Sequence, residues 1–89
     1  MTDTDQSPLQ FPCTFPIKAM GRSSETFDAL VVEIVRRHVP DLGESAVTVR
    51  SSAEGKYLAV TVTITATSRA QLDAIYQDLV ACEAVMVAL

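Results

Sequence analysis

The amino-acid sequence predicts an α+β fold, a βαββαβ two-layer sandwich in which a four-stranded antiparallel sheet of order 4-1-3-2 carries both helices on one face. Three observations predict it. Between Tyr57 and Thr65 the chain alternates with a period of two, Leu58, Val60, Val62 and Ile64 against Tyr57, Thr61, Thr63 and Thr65, as a strand buried on one face requires. Two other stretches space their apolar residues at i, i+3, i+4 and i+7, the signature of a helix with one buried stripe. Gly21, Pro40, Gly55 and Ser68 then punctuate the chain where one period gives way to the next.

The elements follow in order. Residues 1–10 carry Asp3, Asp5, Ser7 and Pro8 without an apolar period and are expected to form a flexible tail, with a single domain over residues 11–89. Phe15, Ile17 and Ala19 alternate with Pro16, Lys18 and Met20 as a first strand. Pro16 has no amide to donate, so regular pairing is expected to begin after it or to be interrupted there by a bulge. Past Gly21, Ser23 or Ser24 supplies a helix cap, and Glu25 and Asp28 suit the helix dipole. Phe27, Leu30, Val31, Ile34, Val35 and His38 form the stripe of the first helix, which Pro40 ends. A loop through Gly43 leads to a short second strand, Val47 to Arg50. Ser51 to Lys56 has the composition of a hairpin turn, and the third strand leaves it at Tyr57. Ser68 and Gln71 make a capping box for a second helix bearing Leu72, Ile75, Tyr76 and Leu79 and ending near Cys82. Val85, Val87 and Leu89 close the pattern as a fourth strand.

Composition narrows the function classes. At 89 residues, with 48% hydrophobic content and no Trp, the chain suits one thin layer of helices on one sheet and leaves little room for a deep internal pocket. A net charge of -4 argues against broad attraction to nucleic acid or anionic membranes. No apolar run approaches the ~20 residues that span a bilayer, and the acidic opening is unlike an export signal, so a cytoplasmic location is expected. Cys13 and Cys82 are too far apart for a redox CxxC, fall at opposite ends of the expected domain, and with a single His complete no zinc site. Both are expected to be free thiols. No nucleophile and base pair, metal cluster or phosphate loop stands out, so no catalytic residue, metal ligand or cofactor is assigned, and the chain is not expected to be an enzyme.

Two candidate sites remain. The sheet face away from the helices should carry Lys18, Met20, Thr48, Arg50, Ala59, Thr61, Thr63, Thr65, Met86 and Ala88, a mixture of Thr, small apolar and Met residues with few charges. With Tyr57 as an aromatic anchor, this surface is half-prepared for a protein partner or a second copy of the chain. The second candidate is the loop of Gly21, Arg22 and Ser23. There, beside Glu54, Lys56 and Glu83, helix-start amides and Arg22 would hold a small anionic ligand. Arg36, Arg37 and His38, the densest positive cluster, are accounted for by the helix C-terminus they occupy.

At these residues the chain resembles a known family. Phe11-Pro12-Cys13-x-Phe15-Pro16-x-Lys18-x-Met20-Gly21, Gly55-Lys56-Tyr57-Leu58 and Thr63-Ile64-Thr65-Ala66-Thr67-Ser68-Arg69-x-Gln71-Leu72-Asp73 are similar to the small YbeD-like bacterial proteins. The resemblance implies a ferredoxin-like fold related to the ACT regulatory domains of amino-acid enzymes, a cytosolic location and no established activity. It also implies a genomic neighbourhood of lipoate-attachment genes. ACT domains bind effectors near the loop after the first strand, at a dimer interface, which maps here onto Met20-Gly21-Arg22-Ser23. The acidic residue that often precedes the ACT loop glycine is missing, and Lys18 and Met20 stand in its place. The implied role is a non-catalytic regulatory or protein-interaction module, with small-metabolite sensing as the alternative.

Overall fold

A computed structural model describes residues 9–89; of the tail expected over residues 1–10, residues 1–8 lie outside the described part. Leu9 already packs against the core, as does Phe11. The elements are β1 (Cys13–Arg22), α1 (Phe27–Arg36), β2 (Val47–Ser51), β3 (Tyr57–Ala66), α2 (Arg69–Ala81) and β4 (Val87–Ala88), with a single 3-10 turn over Glu44–Ala46 before β2. The sheet runs β2-β3-β1-β4 with antiparallel pairing throughout, the order expected from the sequence.

β1 and β3 pair along their whole length, from Cys13 opposite Ala66 to Arg22 opposite Tyr57. Their inward positions bury Ile17, Ala19, Val60, Val62 and Ala66 completely. Phe27, Val31 and Val35 of α1 and Leu72, Ile75 and Leu79 of α2 meet them from above. Edge strand β2 is less well covered: Val49 lies opposite Val60 on the helix side yet is 43% exposed.

Pro16 requires no bulge. Lys18 exchanges both backbone hydrogen bonds with Leu89, at 3.0 and 2.8 Å, so even-numbered positions of β1 turn their backbone groups toward β4. Pro16, two residues back, aims its missing amide along the same edge, where β4 has no paired residue. The strand therefore extends to Cys13, beyond the predicted start.

The cap of α1 also differs from expectation. The N-cap is Thr26, with no side-chain hydrogen bond, rather than Ser23 or Ser24. β1 continues to Arg22, and the Ser23 amide donates to the Lys56 carbonyl at 2.8 Å, extending the ladder past the last strand residue. α2 begins as the spacing predicts. Ser68 Oγ accepts from the Gln71 amide at 3.0 Å, and Gln71 Oε1 accepts from the amide of Thr67, one residue before the cap. In the hairpin, Gly55 adopts φ 75°, a conformation that favours glycine.

β4 shows the opposite facing from that expected. Ala88 lies opposite Ala19, hence on the core side, while Val87 lies opposite Met20 on the open side. The alternation carries Leu89 to the open side and Met86 to the helix side, so Met86 and Ala88 do not belong to the open face and Val87 and Leu89 do. Tyr76 pins this end: its hydroxyl donates to the Leu89 main-chain oxygen at 2.7 Å, and burial raises its phenol above the ordinary value. Cys13 and Cys82 are both free, as expected.

Two outcomes are expected. Ile64→Ala should lower the unfolding free energy by about 2–4 kcal/mol in urea denaturation, whereas Thr63→Ala, on the exposed side of the same strand, should change it by less than about 0.5 kcal/mol. Tyr76→Phe should leave global stability within about 1.5 kcal/mol of the parent but accelerate hydrogen exchange at the Lys18 and Leu89 amides, which bridge β1 to the final residues.

Candidate functional site

The two predicted sites lie at different places in the fold and have different characters. The loop site is filled by the protein itself. Gly21 ends the inward row of β1, and a Cβ there would stand 2.3 Å from the Ala84 carbonyl oxygen and 2.5 Å from the Phe27 ring. The glycine is required because α1 begins by laying Phe27 over it. The neighbouring Ser23 amide is occupied by Lys56, and Lys56 Nζ sits 3.5 Å from a Glu54 carboxylate oxygen, both side chains largely exposed. Arg22, Glu83 and Met86 border a shallow concavity over Phe27 and Ala84. The structure thus gathers Gly21, Arg22, Ser23, Glu54, Lys56 and Glu83 at one end of the sheet, as topology predicts, with close packing at Gly21.

The open face is the larger feature. Register lays its side chains in rows across the sheet. One row runs Leu89, Lys18, Thr61, Thr48; the next runs Val87, Met20, Ala59, Arg50; a third pairs Arg22 with Tyr57. Thr63 and Thr65 continue it toward the far end of β3, both exposed. No helix among the described residues crosses this side. Val87 is 45% and Leu89 65% exposed, and Tyr57, at the rim, 37%, while Met20 and Ala59 between them are half-buried. Lys18, Arg50, Thr48, Thr61 and Ala59 border a broad depression with Pro16 and Leu89.

Sequence reasoning missed three members of this surface. Arg22 was assigned to the loop because the strand was expected to stop at Met20; the extra ladder pairs bring it onto the open face opposite Tyr57. Val87 and Leu89 were missed because the last five residues, Val85 to Leu89, are apolar at every position and carry no signal of which parity faces in.

At the opposite end, His38 Nε2 and Asp78 Oδ2 lie 2.7 Å apart and tie the end of α1 to α2, while Gln71 Nε2 donates to the His38 carbonyl at 3.2 Å. His38 is half-buried, as its place in the stripe predicts, and its carboxylate partner was invisible from α1 alone. This is a structural pin with one imidazole and one carboxylate. Among the described residues no group of three His, Cys, Asp or Glu side chains is placed to hold a metal ion, and no helix is long and apolar enough to cross a membrane.

A two-layer sandwich whose described helices both lie on one sheet face, with a self-filled loop after β1, defines a small ferredoxin-like α+β domain. Over residues 6–89 the chain matches the model of a protein family of unknown function, DUF493, and it belongs to that family. Related chains are UPF0250 proteins. One from Pseudomonas paraeruginosa is 52% identical over 83 residues and one from Chromobacterium violaceum 49% over 79, each match covering 89% of both chains. The YbeD-like resemblance read from the motifs is thereby borne out. The solution structure of protein HP0495 from H. pylori matches with a TM-score of 0.74 over 98% of this chain and 91% of that one, at 14% identity, and shows the shared fold.

If Gly21 serves packing, Gly21→Ala should lower stability by about 1–3 kcal/mol, because neither a carbonyl oxygen nor a ring held in the core can withdraw freely. A chemical denaturation midpoint unchanged from the parent would show that the helix start yields, and that the glycine serves something else.

Proposed function

We propose that this protein is a small, non-catalytic cytosolic interaction module, a regulatory element that docks another polypeptide through the open face of its sheet. The observation that carries this reading is the contrast between the two faces. Ile17, Ala19, Val60 and Val62 are sealed under two helices, while on the reverse side of the same strands no described element covers the half-buried Met20 and Ala59, the exposed Val87 and Leu89 and a run of threonines. A flat surface of small and β-branched side chains needs no rearrangement to accept a partner, and Tyr57 at its rim offers an amphipathic anchor.

Non-catalysis is supported by the lack, among the described residues, of any assembled metal-ligand group, and by a family without an assigned activity. An effector-sensing role of the ACT kind, with lipoate metabolism as context, has less support, because the loop that would bind the effector is closed by Phe27 and its Ser23 amide is taken by Lys56.

A photo-crosslinking side chain placed at Thr63, on the open face, and separately at Gln77, on the outer side of α2, tests the reading in cells. A discrete adduct from the Thr63 position and none from Gln77 is the expected result, a dimer of the chain counting equally with a second protein. Adducts from Gln77 alone, or from neither, would sink it.

A further inference from the structure

The open face differs from the rest of the molecule in charge. The chain carries seven Lys and Arg against eleven Asp and Glu. Four of the cations have partners nearby: Arg37 with Glu33, Lys56 with Glu54, Arg69 with Asp73, and Arg36, which donates to the Leu42 carbonyl. The other three, Lys18, Arg22 and Arg50, have no hydrogen-bond or ion-pair partner for their side chains among the described residues, and register places Lys18 and Arg50 on the open face and Arg22 at its rim, where it also borders the concavity beside Glu83. No Asp or Glu at a described position lies on that face; all are in the helices, the turns or the loops. Among the described residues, this acidic protein thus concentrates its unpaired positive charge on the side of its sheet that no described element covers.

We propose that the open sheet face docks an acidic polypeptide segment, with Lys18, Arg22 and Arg50 receiving its carboxylates. This deepens the interaction reading above and rests on it.

The geometry favours such an occupant. Lys18 and Arg22 are separated along β1 by about 13 Å, and each is about 12 Å from Arg50, two strands away. The triangle they make encloses Met20 and Ala59, so a segment with carboxylates at that spacing and small apolar residues between them meets charge with charge and apolar surface with apolar surface. Extended chain places side chains four residues apart at about 13 Å.

A second copy of this chain fits less well. A two-fold, face-to-face dimer would bring the same unneutralised cations against one another. The face, about 19 Å across its strands, also offers on the order of 500 Å2, short of the ~800 Å2 per partner of a standard stable complex. Nucleic acid also fits less well, because three cations beside a single rim tyrosine make a poor phosphate track and stacking platform in a chain of net charge -4.

The test is a backbone-amide NMR titration of the full chain with three probes: a soluble peptide repeating Glu-Ala-Val-Thr, the same peptide with Gln for Glu, and an oligothymidylate of equal length. Saturable shifts centred on Lys18, Met20, Ala59 and Arg50 are expected with the Glu peptide, weakened by salt and absent or at least about tenfold weaker with the Gln peptide. Lys18→Gln, Arg22→Gln and Arg50→Gln should each weaken binding by about threefold and together by about thirtyfold, while Arg36→Gln and Arg69→Gln change nothing. The probe and salt comparisons use the parent chain, so a misfolded variant would not obscure the result. No saturable binding of the Glu peptide overturns the inference. Equal binding of both peptides at the open face overturns the charge reading and leaves the docking reading standing; shifts confined to the helices overturn both. Preference for the oligothymidylate over the Glu peptide replaces the polypeptide with nucleic acid and overturns it too.

Discussion

The antiparallel pairing of β1 with β3 is the constraint on which the rest of the molecule depends. Side chains alternate across a strand, so a slip of one residue would carry Ile17, Ala19, Val60, Val62 and Ile64 into water and bring Lys18, Thr61 and Thr63 beneath the helices. Burial of a Val or Ile side chain is worth roughly 1.5–3 kcal/mol, and a small domain's entire stability is about 5–15 kcal/mol. One register is therefore enforced by burial energy comparable to the domain's whole margin. The composition of the open face is fixed by the same energy: its cations and threonines lie where they do because their neighbours in sequence are held in the core.

The flanking elements complete that central pair without covering its reverse side. At one end Phe27 lies on Gly21, which joins the start of α1 to the end of β1. At the other, the His38 and Asp78 side chains and the Gln71 amide tie α1 to α2. Both fasteners lie on the helix side of the sheet. Along the β4 side of β1, the ladder is paired only near Lys18 to Met20, and Pro16 occupies a position further along where an amide would otherwise be presented to a passing strand. A proline there blunts the edge against indiscriminate strand addition.

How much of this was legible in the sequence depended on whether a residue's signal was local. β3 was plain because its alternation has a strongly apolar side and a threonine side, and α2 was plain because Ser68 and Gln71 satisfy one another's backbone within a single turn. The strand order followed from the succession of elements. Three features were not local. The length of β1 depends on which partner each backbone group faces, so Pro16 looked like an obstacle until the position of Leu89 was known. The helix start depends on the ladder bond between Ser23 and Lys56, residues distant in sequence. The facing of β4 depends on its register with β1, because Val85 to Leu89 offer an apolar residue to either side. Of the candidate surface, Lys18, Met20, Arg50, Thr61 and Thr63 were readable from strand parity. Arg22, Val87 and Leu89 had to be seen in place, and Met86 had to be removed.

Those corrections change the character of the surface more than its extent. With Met86 and Ala88 on it and Arg22 in a loop, the face read as a weakly apolar patch with two cations. With Val87 and Leu89 in their place and Arg22 opposite Tyr57, it becomes a small apolar centre bounded by three positive charges that have no partner among the described residues. An area of this size cannot by itself sustain tight association, since the loss of translational and rotational freedom on binding, about 4–15 kcal/mol, must first be offset. Exposed charges contribute little further affinity, about 0.2–1 kcal/mol each, but they accelerate encounter and discriminate among partners by sign. A surface built this way suits rapid, reversible and selective contact, and a rigid strand register keeps it organised without the entropic cost of ordering it on each encounter.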